Sequence, residues 1–343
     1  MTFLTARGLM KHFGTTIAVG GADLDVERGD VLALLGPSGC GKTTTLRMLA
    51  GFEVPDAGDV VLDGRVLDGA NVFVPPERRR VGLVFQDFAL FPHMDVARNI
   101  AFGLAKGVDR RKRVGELLDL VGLTGLEQRM PHQLSGGQQQ RVAMARALAA
   151  EPVLMLLDEP FSNLDPSIRQ RVRAEVKALI HQVGITAVFV THDQEEALSL
   201  AEQVAVMIDG RIHQVGTPRE VYTAPATRAV GDFIGEANFL PAEVRGAIAD
   251  CELGHIAVRA GLEGRVEVMV RAEDLDLDPR GGASGAAGAI VGVEYFGHDM
   301  LATVRLDSGR LVRVRQKSGL DRAVGDPVHL AVHGEALVFP RAD

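Results

Sequence analysis

The sequence predicts an α/β domain followed by a smaller all-β barrel. Three observations carry this reading. A glycine-rich loop sits between an apolar strand-like run and a helix-compatible stretch, a second apolar run ends in two carboxylates, and beyond residue 235 the pattern changes to short period-two alternation. Length agrees, because 343 residues exceed the usual size of one domain and suffice for two cores. The boundary is expected between a first domain over 1–235 and a second over 236–343.

The loop comes first. Gly36, Pro37, Ser38, Gly39, Cys40, Gly41, Lys42 and Thr43 fill every position of G-x-x-x-x-G-K-[ST], after the run Val31 to Leu35 and before the helix-compatible Thr44 to Ala50. Backbone N–H groups of such a loop curl into an anion nest at a helix N-terminus, where the dipole favours negative charge. Lys42 then reaches the β- and γ-phosphates of a nucleotide, and the Thr43 hydroxyl is a ligand for Mg²⁺.

Gln86 follows the strand-like Val81 to Phe85 and precedes an aromatic-rich loop; a lone glutamine there would be an ordinary surface residue. Ser135, Gly136 and Gly137 lead into the helical Gln138 to Ala150, a second N-terminus of small residues open to a phosphate. Two phosphate-grade N-termini in one chain invite a composite site. The run Val153 to Leu157 reads as a strand buried on both faces, and it ends in Asp158 and Glu159 where ligands bind in open α/β sheets. Asp158 suits a metal shell, and Glu159 beside it can polarise an attacking water. His192 follows the apolar Ala187 to Val190, again at a ligand edge, although an isolated histidine there is more often structural. Phe13 alone reads as core or as a packed loop residue.

In this order the residues resemble the ATP-binding subunits of ABC transporters, over nearly the whole chain. The resemblance implies a P-loop NTPase fold with a helical subdomain over about 87–150, and ATP and Mg²⁺ as cofactors. It implies that Phe13 stacks on adenine, that Thr44 joins the phosphate site, and that Gln86 senses Mg²⁺ and the attacking water. LSGGQ, Leu134 to Gln138, closes over the γ-phosphate of ATP held by the other subunit. Ser162 to Asp165 crosses the dimer seam, with Asp165 in the nucleotide site, and His192 contacts the γ-phosphate. Lys42, Glu159 and His192 are the catalytic set; Thr43, Gln86 and Asp158 face the metal.

The same resemblance implies a head-to-tail homodimer sandwiching two ATP molecules. It further implies membrane permease subunits docked on Gln86 to Met94, with Phe88, Leu90, Phe91 and Met94 as contacts, and an extracytoplasmic binding protein acting indirectly. The chain is then expected at the cytoplasmic face of the inner membrane, as a peripheral subunit.

Composition limits other readings. No apolar run approaches the roughly 18 to 20 residues that span a bilayer, and Met1 to Arg7 reads as a short strand rather than an export signal. Cys40 and Cys251 are the two cysteines, so a disulfide framework is not expected and a reducing compartment fits. A net charge of -8 disfavours nucleic acid as partner. Arg78 to Arg80 and Arg110 to Arg113 are expected on solvated faces.

After Ile234, segments such as Arg265 to Val270 and Leu311 to Arg315 alternate with period two, with turns like Asp307-Ser308-Gly309 between them. Gly281 to Gly288 reads as a flexible connector. From Glu236 onward there are 12 Lys plus Arg against 17 Asp plus Glu, which argues against an oligonucleotide ligand. This stretch resembles the OB-like (TOBE) domain of importer ATPases, including Val270 to Leu275, with Ala272 where the family usually has Pro.

The substrate rests on resemblance alone. Val74 to Arg79 with Phe85 to His93, and Phe233 to Leu240, look like the ferric-iron and polyamine branch of importers. Ferric iron ranks first and polyamine second, with 2-aminoethylphosphonate, sulfate and sugar import behind. Two other readings are a soluble ABC-type ATPase of DNA repair or translation and a nucleotide kinase. The first needs a long heptad insertion or a second cassette, and the kinase needs an acceptor lid and has no use for LSGGQ.

Overall fold

The computed structural model describes residues 2–105, 107–259, 261–278, 286–318 and 323–341. The chain divides into two compact units, Met1–Val221 and Tyr222–Asp343.

The first unit is built on a six-stranded sheet in the order Arg211–Gly216, Gln203–Ile208, Val31–Leu35, Thr186–Thr191, Leu154–Asp158, Val81–Val84. All neighbours are parallel except the Arg211–Gly216 edge. Val31–Leu35, Leu154–Asp158 and Thr186–Thr191 are buried at every residue, which is why they appear as unbroken apolar runs. A five-stranded antiparallel sheet runs from Thr16–Glu27 through Thr2–Phe13, Ala57–Leu62 and Arg65–Gly69 to Val72–Phe73. Leu4, Leu24 and Val60 from this sheet share one core with Leu32, Leu156 and Val188 and with Met48 of the helix Lys42–Ala50. Between Gln86 and Ala150 the chain forms the helices Val96–Ala101, Arg110–Leu120 and Gly136–Ala149, which pack on one another.

One basic cluster departs from expectation. Arg79 is fully buried, not solvated. Its guanidinium donates to the carbonyls of Met48, Leu49 and Val74 and to the Asp68 carboxylate at 2.9 Å. It therefore closes the C-terminal end of helix Lys42–Ala50, where carbonyls lack partners within the helix. Gly51 makes room for it: a Cβ there would lie 2.4 Å from Arg79 Nε. Arg110, Arg111 and Lys112 are exposed, as expected.

The second unit holds two five-stranded antiparallel sheets. One runs Gly254–Ala257, Ile248–Cys251, Ala237–Arg245, Gly264–Arg271, Leu337–Pro340; the other runs Leu275–Asp278, Pro327–Val332, Ala286–Tyr295, Asp299–Leu306, Leu311–Lys317. Leu240, Val268, Leu275, Val304 and Leu330 belong to a single core between them. Asn238 stitches the sheets together, its side-chain amide donating to the Arg313 carbonyl and accepting from the Arg313 N–H at 2.8 and 2.7 Å. Buried Arg271 donates to the carbonyls of Tyr222, Gly231 and Ile234. Those bonds draw 222–235, which the sequence reading gave to the first domain, into this unit. Of the expected connector, 281–285 lie outside the described residues; Ala286 to Gly288 are not connector but strand, paired with Val328 to Leu330.

Candidate functional site

The phosphate loop leaves the C-terminal end of strand Val31–Leu35 and enters helix Lys42–Ala50. Its path requires glycine twice. A Cβ on Gly36 would lie 2.0 Å from the Met207 carbonyl oxygen, and one on Gly41, at φ 103, would lie 2.2 Å from that of Ala18. Pro37, Ser38 and Gly39 form the exposed tip, and Cys40 is buried, which pushes its thiol pKa up despite nearby Lys42. Lys42 Nζ donates to the carbonyls of Gly36 and Pro37, each at 2.8 Å. Thr44, next to Thr43, is half-buried at the start of the helix.

The Thr43 hydroxyl donates to Asp158 at 3.0 Å, joining the loop to the end of strand Leu154–Asp158. Burial raises the Asp158 pKa, opposed by the Thr43 hydrogen bond and by Arg47. Beyond it, Glu159 takes a left-handed turn at φ 41. Its carboxylate meets Gln86 Nε2 at 3.4 Å on one oxygen and His192 Nδ1 at 3.2 Å on the other. Glu159 is thus reached from the ends of two other strands, Val81–Val84 and Thr186–Thr191. Asn163 Nδ2 donates to the Gln86 carbonyl at 2.8 Å, and the Ser162 hydroxyl to that of Glu159 at 2.9 Å.

His192 is set by residues that the sequence reading did not single out. Thr191 Oγ1 donates to buried Glu196 at 2.6 Å and accepts from the Asp193 N–H, while Arg173 donates to Asp193 at 3.0 Å. Burial pushes the Glu196 carboxyl pKa up. A signal for part of this existed: Asp193 caps helix Gln194–Leu200, with Glu196 three residues on. Arg173, twenty residues upstream, carried none.

The second N-terminus forms as expected. Ser135 caps helix Gly136–Ala149, accepting from the Gln138 N–H while the Gln138 side chain accepts from the Ser135 N–H. Gly137 lies against the helix Pro166–Val183, where its Cβ would meet Val172 at 2.9 Å, and Gly136 lies against Leu164. The phosphate loop packs instead on Ala18, Met207 and Asp158, so within one chain the two N-termini keep separate partners. Asp165 caps Pro166–Val183 by accepting from the Ser167 N–H, and the Ser167 side chain together with that N–H holds its carboxyl below the usual range. Phe13 is half-exposed at the end of its strand, with Lys11 Nζ 5.4 Å from the ring centre.

Comparison with known proteins follows the same outline. Residues 19–162 match the family described as ABC transporter, and residues 268–339 match the TOBE domain. The Fe(3+) ions import ATP-binding protein FbpC of Mesorhizobium japonicum is 47% identical, covering 99% of this chain and 100% of its own length. This chain belongs to the ABC transporter family. FbpC 1 of Rhodococcus jostii is 48% identical over 99% of this chain and 100% of its own. The spermidine/putrescine import ATP-binding protein PotA of Methylococcus capsulatus is 44% identical over 99% and 92%. Among solved structures, cbiO1 from Clostridium perfringens, part of an ABC transporter complex, superposes with a TM-score of 0.60 at 31% identity, covering 66% of this chain and 92% of its own. An ATP-binding cassette solved as a dimer in a post-hydrolysis state with ADP and Pi gives 0.54 at 31% identity, covering 63% and 99%. As an ABC ATPase the chain binds ATP, and its hydrolysis is coupled to transport.

The expected docking loop of this ABC ATPase is sorted by burial. Phe88, read from the sequence as a partner contact, is instead buried at φ 61, and Arg146 donates to its carbonyl and to that of Ala89. A side chain directed inward is not available to a partner. Leu90, Phe91 and Met94 are half-buried. Phe91 packs at a tilt against Phe102 with ring centres 4.5 Å apart, and buried Asn99 donates to the carbonyls of Phe91, Met94 and Asp95. Phe52, Phe85 and Phe102, which the sequence reading did not name as partner contacts, are exposed. No helix among the described residues is long and apolar enough to cross a membrane.

Proposed function

We propose that this chain powers the import of ferric iron as one of two identical ATP-hydrolysing subunits on permease partners, peripheral to the cytoplasmic face of the membrane. The observation that carries the catalytic part is the Glu159 carboxylate, held between Gln86 and His192 and next to the Thr43–Asp158 pair. Glu159 orients and deprotonates the attacking water, and His192 holds Glu159 and reaches the γ-phosphate. Lys42 and the amides of Gly39 to Thr44 hold the phosphates, and Phe13 stacks on the base. Ser135 to Gln138 and Asp165 of the second copy close the site, which fits two N-termini that keep separate partners within one chain. The pairing of a hydroxyl with a buried, desolvated carboxylate is the hard-oxygen donor set that suits Mg²⁺. Thr43, Asp158 and Gln86 would hold that ion, which supplies charge neutralisation at the phosphate oxygens when bound.

Iron is supported by relatives named for Fe(3+) import at 44–48% identity along the whole chain. Relatives named for spermidine and putrescine import, at 44% and 46%, favour polyamine as the second reading. An extracytoplasmic binding protein delivers the substrate. Two experiments test this. ATPase activity of the complex with its membrane subunits in lipid is measured with receptors loaded with ferric iron, spermidine, aminoethylphosphonate or maltose; stimulation by the iron receptor is expected, and stimulation by another alone reassigns the substrate. In Glu159→Gln, ATP binding persists, turnover falls by about 10²–10⁴-fold, and an ATP-bound dimer accumulates; a variant that stays monomeric with saturating Mg-ATP removes the composite site.

A further inference from the structure

We infer, on the reading of Phe13 as the residue that stacks on the base, that Lys11 and Asp56 are positioning residues for the nucleotide, holding the Phe13 ring in register with the phosphate loop. Phe13 ends strand Thr2–Phe13 and is 50% exposed. A ring so open turns among its rotamers unless a neighbour holds it. On one side the strand stays paired to its last residue, with Phe13 opposite Thr16. On the other side, pairing with Ala57–Leu62 stops at Met10 opposite Ala57. A side chain takes over from there. The Asp56 carboxylate accepts from the His12 N–H at 2.6 Å and meets His12 Nδ1 at 2.9 Å, and the His12 ring together with that N–H keeps its carboxyl below the ordinary range.

Lys11 fastens the ring itself. Its side chain is only 14% exposed, low for a lysine. Nζ donates to the Val54 carbonyl at 2.8 Å and lies 3.4 Å from Glu53 and 3.8 Å from Asp56. These acceptors of one loop fix the ammonium 5.4 Å from the centre of the Phe13 ring, within the range at which a cation is drawn to an aromatic face. Ion pairs this close to water add little to stability, so what they contribute is placement. The same loop is tied to the phosphate side. The N–H groups of Phe52 and Glu53 donate to the Arg47 carbonyl at 2.9 and 3.2 Å, in the last turn of the helix that carries Lys42 and Thr43. Residues 52–56 thus run from the phosphate-loop helix to the two residues before Phe13, and they set the span between ring and phosphate loop. A ligand with both base and phosphates feels the loss of that span; phosphates alone do not.

The test uses the full chain with Mg²⁺ and compares binding of ATP and of inorganic tripolyphosphate by calorimetry. Lys11→Met is expected to weaken ATP by about three- to fivefold, the worth of one cation held on an aromatic face, and to leave tripolyphosphate unchanged. Asp56→Ala should act in the same sense, and Lys11→Arg, which keeps a cation against the ring, should restore most of the affinity. Hydrolysis should show the matching split, with KM for ATP raised and kcat kept. Phe13→Ala is expected to weaken ATP by about tenfold through lost stacking, and adding Lys11→Met to it should cost nothing further, because Lys11 acts through the ring. The inference is overturned by parental ATP affinity in Lys11→Met or in Asp56→Ala, by equal losses for ATP and tripolyphosphate, or by additive losses in the double variant. Unchanged ATP affinity in Phe13→Ala alone removes the base-stacking reading and the inference with it, whereas a weakened Phe13→Ala beside an unaffected Lys11→Met removes the inference and leaves that reading standing.

Discussion

Asp158 shows how the burial of a single side chain at a proposed site bears on stability. Its folded pKa is raised by burial above the ordinary 3.8, so the folded chain holds that proton more tightly than the unfolded one. The associated stability is fully present below pH 3.8 and is lost as pH rises through the folded value. At pH 7 the buried carboxylate is therefore a liability. Asp158→Asn, which can still accept from Thr43, is expected to raise Tm at pH 7 in nucleotide-free protein. The gain should fade as pH falls toward 3.8, while Mg-dependent ATP turnover is lost. Scanning calorimetry across pH checks both halves, and a variant less stable at pH 7 than at pH 4 relative to the parent contradicts the assignment. Glu159 and His192 were legible in the sequence because each ends an apolar strand. The Thr191–Glu196 bond and the Arg173 clamp behind them were not, because they join positions on different elements.

At the level of elements, the helix Lys42–Ala50 depends on a residue from outside it. Arg79 stands in a run of three arginines, and nothing local separates it from its neighbours; its burial is decided by carbonyls of Met48 and Leu49 and by Asp68. Arg79→Met leaves Asp68 buried without a partner and should cost about 3–5 kcal/mol, read as a lower urea midpoint with unchanged m. Adding Asp68→Leu should return part of that loss, since removing both charges of a buried pair is far milder than removing one. The same limit explains Phe88. Composition marks the loop from Phe88 to Met94 as aromatic, but which ring turns inward is set by Arg146 and Asn99 on later helices. By contrast, the three wholly buried strands of the central sheet were plain in the sequence, because burial on both faces leaves an apolar signature that needs no context.

For the molecule as a whole, the placement of the boundary has consequences that fragments can measure. Arg271 needs the carbonyls of Tyr222, Gly231 and Ile234, so a fragment over 222–343 is expected to fold cooperatively by itself. A fragment over 236–343 strands a buried guanidinium whose charged hydrogen bonds are worth roughly 1.5–3 kcal/mol each. It should unfold at clearly lower urea; equal midpoints for the two fragments would move the boundary back to 235. Period-two alternation revealed the strands of this unit, but not the reach of one arginine back across 49 residues of chain. A second feature couples the site to the surface. The Asn163 amide holds the Gln86 carbonyl, and the Gln86 side chain meets Glu159, so the segment bearing exposed Phe85 and the Glu159 carboxylate share one short path of bonds. Linkage through such a path has no preferred direction. Whatever factor a docked protein imposes on nucleotide affinity, nucleotide must impose on the grip of that protein, and binding measurements at either end of the path report the same number.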